Sequence, residues 1–207
     1  ILDTAKIEAG QIVVETAPFD LADTVRGAAA LYRPRADEKG VALRVQIEPA
    51  LDRAVEGDVV RLRQVLSNLI SNALKFTEGG AVTVSLRFEW RQVLLAVTDT
   101  GCGINAEDME MVFDGYLHPE RLAALPSGLG LGLPLCRRIA EGHGGRLMLQ
   151  SQPRQGTTVT VSLPNKRCPA HMMVRDLPFH YAGGFNEVLL ELSDALYHVS
   201  FTQKHLD

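Results

Sequence analysis

The sequence predicts an α+β fold, a two-layer sandwich in which a mixed, mostly antiparallel sheet carries helices on one face. Segments where apolar and polar residues alternate predict strands, and segments where apolar residues recur every three or four positions predict helices. Short turns between successive strands favour antiparallel neighbours. With 207 residues, 46% of them hydrophobic and 22% charged, the chain can enclose a core without disulfide bonds.

The first part of the chain predicts two helices and a strand. Residues 1–10 have helical periodicity and end at a glycine, which is typical of the last turns of a longer helix. A second helix is predicted from Asp20, a capping residue, to Lys39, with a kink at Pro34. The alternation of Leu43, Val45 and Ile47 with polar residues predicts the first strand.

The next hundred residues alternate between the two periodicities. A strongly amphipathic helix is predicted over residues 61–76. Strands are predicted over residues 82–88 and 93–97, joined by a turn at residues 90–92. A further helix and two strands are predicted over residues 133–141, 147–149 and 157–163.

Charge and cysteine content exclude several classes of protein. The net charge of -4 argues against a nucleic-acid partner. The three cysteines form no CxxC pair, so we expect neither a zinc knuckle nor a disulfide framework, and a reducing compartment is favoured. No apolar run reaches the ~18 residues of a membrane span.

Three polar side chains share one stripe of the predicted helix 61–76. Asn68 and Asn72 are four residues apart, and Lys75 follows three residues later. Amide oxygens can ligate a hard divalent cation, and an ammonium group can neutralise phosphate. The alternative interpretation is a solvated helix face on which the asparagines are merely tolerated.

An aspartate ends the strand 93–97 and precedes two glycines. The position of Asp99 places a carboxylate at the rim of the sheet. Because Gly101 and Gly103 have no side chains, the backbone beside this carboxylate can approach a ligand closely. Such a carboxylate can accept a hydrogen bond from an exocyclic amine. A tight turn that needs glycine is an equally simple interpretation.

A glycine-rich loop precedes the predicted helix 133–141. Its residues are Gly128, Leu129, Gly130, Leu131 and Gly132. Backbone N–H groups at the start of a helix bind phosphate, although alternating glycine and leucine also allows close packing. The glycine spacing differs from the dinucleotide fingerprint, and no Lys-Ser/Thr pair follows as in a Walker loop.

The order of these motifs resembles the ATP-binding catalytic domain of bacterial sensor histidine kinases. The wider superfamily includes gyrase, the Hsp90-type chaperones and the mismatch-repair ATPases. The resemblance extends from about Ile1 to Pro164, and its most specific segment is Asn68-Leu-Ile-Ser-Asn72-Ala-Leu-Lys75-Phe-Thr77. It implies the Bergerat-type ATP-binding fold, with ATP and Mg²⁺ as the bound groups.

The resemblance also implies a role for each motif. Asn72 would ligate Mg²⁺ with Asn68 near the same ion, and Lys75 would meet phosphate. Asp99 would bind the adenine amine, with Thr158 close to both. Glycines 101 and 103 would let the backbone approach the nucleotide, and the loop 128–132 would form the hinge and phosphate-facing side of a lid.

One substitution within the superfamily implies phosphoryl transfer to a protein rather than hydrolysis. Members that hydrolyse ATP have a water-activating glutamate where this chain has Asn68, and an amide cannot act as a general base. The resemblance thus implies a histidine kinase, whereas a superfamily ATPase is disfavoured. A non-catalytic pseudokinase that pairs with another kinase is the alternative, because Leu129 and the Phe113-Asp-Gly-Tyr116 stretch depart from the family pattern.

The resemblance divides the chain into three parts. Residues 1–14 would comprise the end of the dimerisation helix and a linker, and residues 15–164 would form the catalytic domain. Residues 165–207 would be a linker with a truncated or degenerate receiver-like start. The acceptor histidine is expected upstream of Lys6, so His143 and the other histidines are expected to be structural or solvated.

The implied partners follow from this division. They are the dimerisation and phosphoacceptor region of the same or another sensor kinase, and a response regulator or receiver domain. We expect a cytoplasmic domain from a homodimeric parent, which is compatible with an inner-membrane sensor.

Overall fold

The computed structural model describes residues 14–49, 54–112 and 132–166. The strands are β1 (Ala17–Asp20), β2 (Ala42–Ile47), β3 (Ala54–Gly57), β4 (Ala81–Glu89), β5 (Gln92–Asp99), β6 (Arg146–Gln152) and β7 (Gly156–Pro164). The helices are α1 (Leu21–Glu38), α2 (Val59–Phe76), α3 (Ala106–Met111) and α4 (Gly132–Gly142).

A five-stranded sheet in the order β2-β4-β5-β7-β6 forms one layer. Strands β2 and β4 are parallel, and the other neighbours are antiparallel, which confirms the predicted mixed, mostly antiparallel sheet. Strands β1 and β3 pair separately as a small antiparallel sheet. Sequence periodicity missed these two strands because four residues are too few to show alternation.

Alternate positions of the central strands form the apolar inner face of the sheet. Side chains at these positions are almost completely buried, whereas most of their neighbours in sequence are half-buried or exposed. Helices α1, α2 and α4 pack against this face, and α2 contacts both of the others. The two-layer arrangement therefore encloses one core, whose strand residues are Val82, Val84, Leu86, Val93, Leu95, Val97, Val159, Val161 and Leu163.

Aspartates begin the two long helices. Asp20 accepts a hydrogen bond from the Asp23 N–H, as predicted, and Asp58 accepts one from the Arg61 N–H. Helix α1 continues through Pro34 to Glu38. Helix α2 begins two residues earlier than predicted because Asp58, rather than a later residue, caps it.

The turn between β4 and β5 is shorter than predicted. Gln92 was expected in the turn but pairs with Glu89 as the first residue of β5. Trp90 and Arg91 alone form the turn, and Trp90 has a positive φ of 55°.

Several predictions concern residues outside the described ranges. They include the helix over 1–10, the loop 128–131, the Phe113-Asp-Gly-Tyr116 stretch, and all but the first two residues of the linker and receiver-like start expected over 165–207. Within the described ranges, no helix combines the length and apolar character needed to cross a membrane.

Candidate nucleotide-binding site

A cleft of about 150 Å³ opens between α2, α4 and the adjoining ends of β5 and β7. Its walls are mainly apolar, with polar side chains at separate places along the cleft. Most ligand pockets have this composition, since apolar area supplies affinity and a few polar groups fix orientation. The apolar walls include Leu69, Ala73, Phe76, Val97, Ile104, Leu133, Leu149 and Val159, and the polar residues are Asn72, Asp99, Asn105, Asp108 and Thr157.

Asp99 forms the polar floor of the cleft. It is the last residue of β5, and its side chain is only 8% exposed because it lies on the inner face of the sheet. Its Oδ1 accepts hydrogen bonds from the Gly101 N–H at 2.9 Å and the Thr157 N–H at 3.2 Å. Neither bond uses Oδ2, which can therefore accept from a ligand.

Burial is the main influence on the acidity of Asp99. Desolvation raises the pKa of its carboxyl above the ordinary value of 3.8, and the hydrogen bonds from the Gly101 and Thr157 N–H groups partly oppose this. A buried acceptor with an unused oxygen suits a ligand that donates a hydrogen bond, such as an exocyclic amine.

Thr157, rather than the predicted Thr158, is the threonine beside Asp99. Thr157 pairs with Asp99 across β5 and β7, and it lines the cleft. Thr158 pairs with Thr98, and the two hydroxyl oxygens lie 3.1 Å apart at an exposed position. Because side chains alternate along a strand, the one-residue difference moves the Thr158 hydroxyl to the opposite face of the sheet.

Glycines 101 and 103 are required by contacts within the protein. A Cβ atom at residue 101 would lie 2.3 Å from the Phe76 carbonyl oxygen, at the end of α2. At residue 103, a Cβ atom would lie 2.0 Å from the Gln152 carbonyl oxygen, and φ is +67°. The predicted reason, close approach of backbone to nucleotide, is therefore not needed to explain these glycines, although Gly103 does line the cleft.

The other end of the cleft joins the asparagine stripe to the start of α4. A Cβ atom at Gly132 would lie 3.6 Å from Asn68 Cγ and 3.7 Å from Asn72 Nδ2. The first helical residue of α4 thus lies against both asparagines. The structure brings together two motifs that are sixty residues apart in the sequence, which a phosphate site would need.

Of the two asparagines, only Asn72 lines the cleft. The Nδ2 of Asn68 lies 3.8 Å from the buried Cys136 Sγ on α4. Lys75, the third member of the stripe, places its Nζ 5.4 Å from the centroid of the Phe76 ring, a cleft wall. Lys75 itself is not among the residues that line the cleft.

At this end of the cleft, amide oxygens are the protein groups that could ligate a divalent ion. Among the described residues, no group of three or more His, Cys, Asp or Glu side chains could hold a metal ion. Magnesium commonly retains waters and binds through one or two protein oxygens together with substrate phosphates. Asn72, with Asn68 behind it, fits an ion that arrives with a nucleotide.

Sequence reasoning missed four polar residues near the floor of the cleft. Asn105 caps α3 by accepting from the Asp108 N–H, and both residues line the cleft. Thr157 lines it as well, and Ser151 contacts Thr157. The alternation of β7 could have identified Thr157, since it has the same parity as the apolar residues Val159 and Val161.

The two cysteines in the described part of the chain, Cys102 and Cys136, differ in exposure. Cys136 is buried, and burial raises the pKa of its thiol to about 12. Cys102 is exposed in the loop after Asp99 and lines the cleft.

The comparisons with known proteins identify the family. Residues 57–167 match the family described as histidine kinase-, DNA gyrase B-, and HSP90-like ATPase. The histidine protein kinase DivJ of Caulobacter vibrioides is 39% identical over 165 residues, which is 79% of this chain and 28% of DivJ. The chain covers about a fifth of other curated relatives that it matches.

Two solved structures are similar in fold. Full-length ShkA in complex with AMPPNP matches with a TM-score of 0.71 and 30% identity, over 82% of this chain and 35% of ShkA. The nucleotide-free catalytic domain of the histidine kinase ThkA matches with a TM-score of 0.64 and 26% identity, over 73% of this chain and 99% of that domain. The chain belongs to the histidine kinase-, DNA gyrase B-, and HSP90-like ATPase family, and its relatives are histidine kinases.

Proposed function

We propose that this chain is the catalytic part of a sensor histidine kinase, which transfers the γ-phosphoryl group of Mg-ATP to a histidine on a dimerisation helix. One observation carries the proposal. A single cleft has an unused carboxylate oxygen of Asp99 at its floor, and Asn72 with the first residue of α4 at its other end.

The floor suits an adenine base. The apolar walls can enclose a flat ring, and Asp99 Oδ2 can accept from its amine. The other end suits phosphates, because the N–H groups at the start of α4 and its dipole favour negative charge. Lys75, three residues after Asn72 on α2, would supply a cation for the phosphates.

Magnesium would be held by the Asn72 amide oxygen, with Asn68 near the same ion. When bound, the ion would neutralise charge on the phosphates. Asn72 contributes an oxygen ligand without negative charge, so the phosphates supply most of the attraction for the ion. This arrangement predicts that metal and nucleotide bind together.

The side chain at residue 68 favours transfer to a protein over hydrolysis. An amide cannot take a proton from water, so Asn68 cannot serve as a general base. In the proposed reaction a ring nitrogen of histidine forms a bond to the γ-phosphorus, the bond to the β–γ bridging oxygen breaks, and ADP leaves. Proposed partners are the dimerisation region that carries this histidine and a response regulator or receiver domain.

A binding experiment tests the nucleotide site. The chain should bind ATP more tightly with Mg²⁺ than with EDTA, as measured by isothermal titration calorimetry. Asn72→Ala should remove most of the Mg²⁺-dependent gain, whereas Ser71→Ala on the same helix should retain it. An undiminished gain in a folded Asn72→Ala protein would contradict the proposal.

A transfer experiment tests the reaction. The chain is incubated with γ-³²P-ATP, alone and with a separately prepared dimerisation segment of a relative that carries its acceptor histidine. We expect acid-labile label on the segment and none on the chain. Label on the chain alone, or an acid-stable label, would contradict transfer to an external histidine. ATP binding with no label on the segment would favour the non-catalytic alternative.

A further inference from the structure

Ser151 lies behind the floor of the cleft and contacts three groups at once. It is in β6, and it is not among the residues that line the cleft. Its Oγ lies 2.8 Å from the Ile104 backbone nitrogen, 3.0 Å from the Gly156 carbonyl oxygen and 2.9 Å from Thr157 Oγ1. The hydroxyl thus connects the loop after Asp99 to the start of β7.

Hydrogen-bond accounting assigns a direction to each contact. A serine hydroxyl has one proton to donate and two lone pairs to accept with. The Gly156 carbonyl can only accept, so Ser151 donates its single proton there. The Ile104 N–H can only donate, so Ser151 accepts from it. Thr157 must therefore be the donor in its contact with Ser151.

These bond directions determine which hydrogen-bonding groups the floor of the cleft offers to a ligand. Because the Thr157 proton is committed to Ser151, only lone pairs of Thr157 Oγ1 remain for a ligand. Asp99 Oδ2 beside it is also an acceptor, since both backbone N–H groups bond to Oδ1. The floor then presents acceptors from two side chains and no hydroxyl donor from Thr157.

We propose that Ser151 is a positioning residue for base specificity. By holding the Thr157 hydroxyl as an acceptor, it favours a purine with an amino group at position 6 and disfavours one that has an acceptor oxygen there and no proton on N1. The inference rests on the proposed function, because it assumes that the base of a nucleotide occupies this floor with position 6 towards Thr157. A Thr157 hydroxyl that is free to rotate could donate to such an oxygen, so loss of Ser151 should weaken the selectivity.

A simpler role for Ser151 would be to support the loop through Ile104 alone. Loss of that support would weaken binding of every purine nucleotide to a similar degree, and it would not depend on the Thr157 hydroxyl. The ratio of affinities for two nucleotides that differ at position 6, measured with and without that hydroxyl, therefore separates the two roles.

The test compares ATP with 6-methoxypurine riboside triphosphate, in which a methoxy oxygen replaces the amine and N1 carries no proton, as in adenine. Both are titrated in EDTA so that only the base and the protein differ. We expect Ser151→Ala and Thr157→Val each to reduce the affinity ratio of ATP to this analogue by about five- to tenfold, the size expected for one hydrogen bond. The double variant should have the ratio of Thr157→Val alone. Thr158→Val, on the opposite face, should keep the wild-type ratio.

Several outcomes would overturn the inference. These are an unchanged ratio in Ser151→Ala, or a further loss when Ser151→Ala is added to Thr157→Val. If Ser151→Ala does not fold, the Ser151→Cys variant is measured instead. A thiol is a weak hydrogen-bond donor and acceptor, so Ser151→Cys should also lower the ratio. A wild-type ratio in Ser151→Cys would overturn the inference as well. Wild-type protein that does not bind ATP would overturn the proposed function itself.

Discussion

His143, just after α4, holds the start of α2 through a hydrogen bond to Asp58. The His143 Nε2 accepts from the Asp58 backbone N–H at 3.0 Å, and Nδ1 lies 2.8 Å from the Ile139 carbonyl oxygen. Because a backbone N–H can only donate, Nε2 has no proton and Nδ1 donates to Ile139. This histidine is structural, as the sequence predicted, and it connects two helices that border the cleft.

Replacement of His143 should reduce stability without affecting the nucleotide site. His143→Phe keeps a ring but leaves the Asp58 N–H without its partner, so the free energy of unfolding should fall by about 1–3 kcal/mol. Urea denaturation measures the change, and ATP titration at a temperature where the variant is folded should give wild-type affinity. Unchanged stability, or a selective loss of ATP affinity, would contradict the structural role.

Replacement of Asp99 by asparagine should reverse the base preference. The amide oxygen of Asp99→Asn can still accept from the Gly101 and Thr157 N–H groups, which leaves the amide NH₂ facing the cleft. A donor there repels an amine and suits an oxo group, so ATP affinity should fall and ITP affinity should rise. Calorimetric titration with both nucleotides measures this, and Asp37→Asn, at an exposed position, controls for loss of charge.

The stability of the nucleotide-free protein should depend on pH through Asp99. Since its folded-state pKa is raised, the folded protein retains this proton at pH values where the unfolded chain has lost it. Stability that Asp99 contributes at low pH is therefore lost as pH rises from 3.8 through the higher folded-state value.

Asp99→Asn cannot ionise and should not show this loss. Its free energy of unfolding, relative to that of wild type, should be larger at pH 7 than at pH 3.5. Denaturant titrations without nucleotide across this range measure the difference between the two proteins. A difference that stays constant with pH would contradict the raised pKa.

Alanine at two glycines should have opposite effects on stability. Gly103→Ala places a Cβ against the Gln152 carbonyl at a positive φ, and should destabilise the protein by more than about 1 kcal/mol. Gly27→Ala, in helix α1 with nothing within 4 Å of the added Cβ, should stabilise it by about 0.5–1 kcal/mol. Thermal or urea denaturation of both variants provides the comparison, and equal effects would contradict the packing described for Gly103.

The two described cysteines should differ in reactivity. Cys102 is exposed at the cleft, whereas Cys136 is buried with its thiol pKa raised to about 12. At pH 8, iodoacetamide should modify Cys102 and leave Cys136 intact until the protein is denatured. Peptide mass spectrometry measures each site, and saturating ATP should slow modification of Cys102. Fast modification of native Cys136 would show that the packing of α4 on α2 does not bury it.

Much of the fold could be predicted from local pattern, because each element carries its own periodicity. The helical spacing in α2 and the alternation in β4, β5 and β7 reflect burial of one face, which is visible in sequence. The small strands β1 and β3 could not be predicted, because their pairing depends on a partner more than thirty residues away rather than on their own pattern.

The sequence by itself determined which chemical groups are available: the asparagine stripe of α2, the carboxylate of Asp99 and the glycines around it. The tertiary structure decided how they are used. Strand pairing placed Thr157 rather than Thr158 beside Asp99, and packing of α4 on α2 placed Gly132 against Asn68. These relationships depend on strand register and on helix packing, which are set by contacts between distant segments. The alternation of β7 indicates the face on which Thr157 lies, but not that Asp99 is its neighbour.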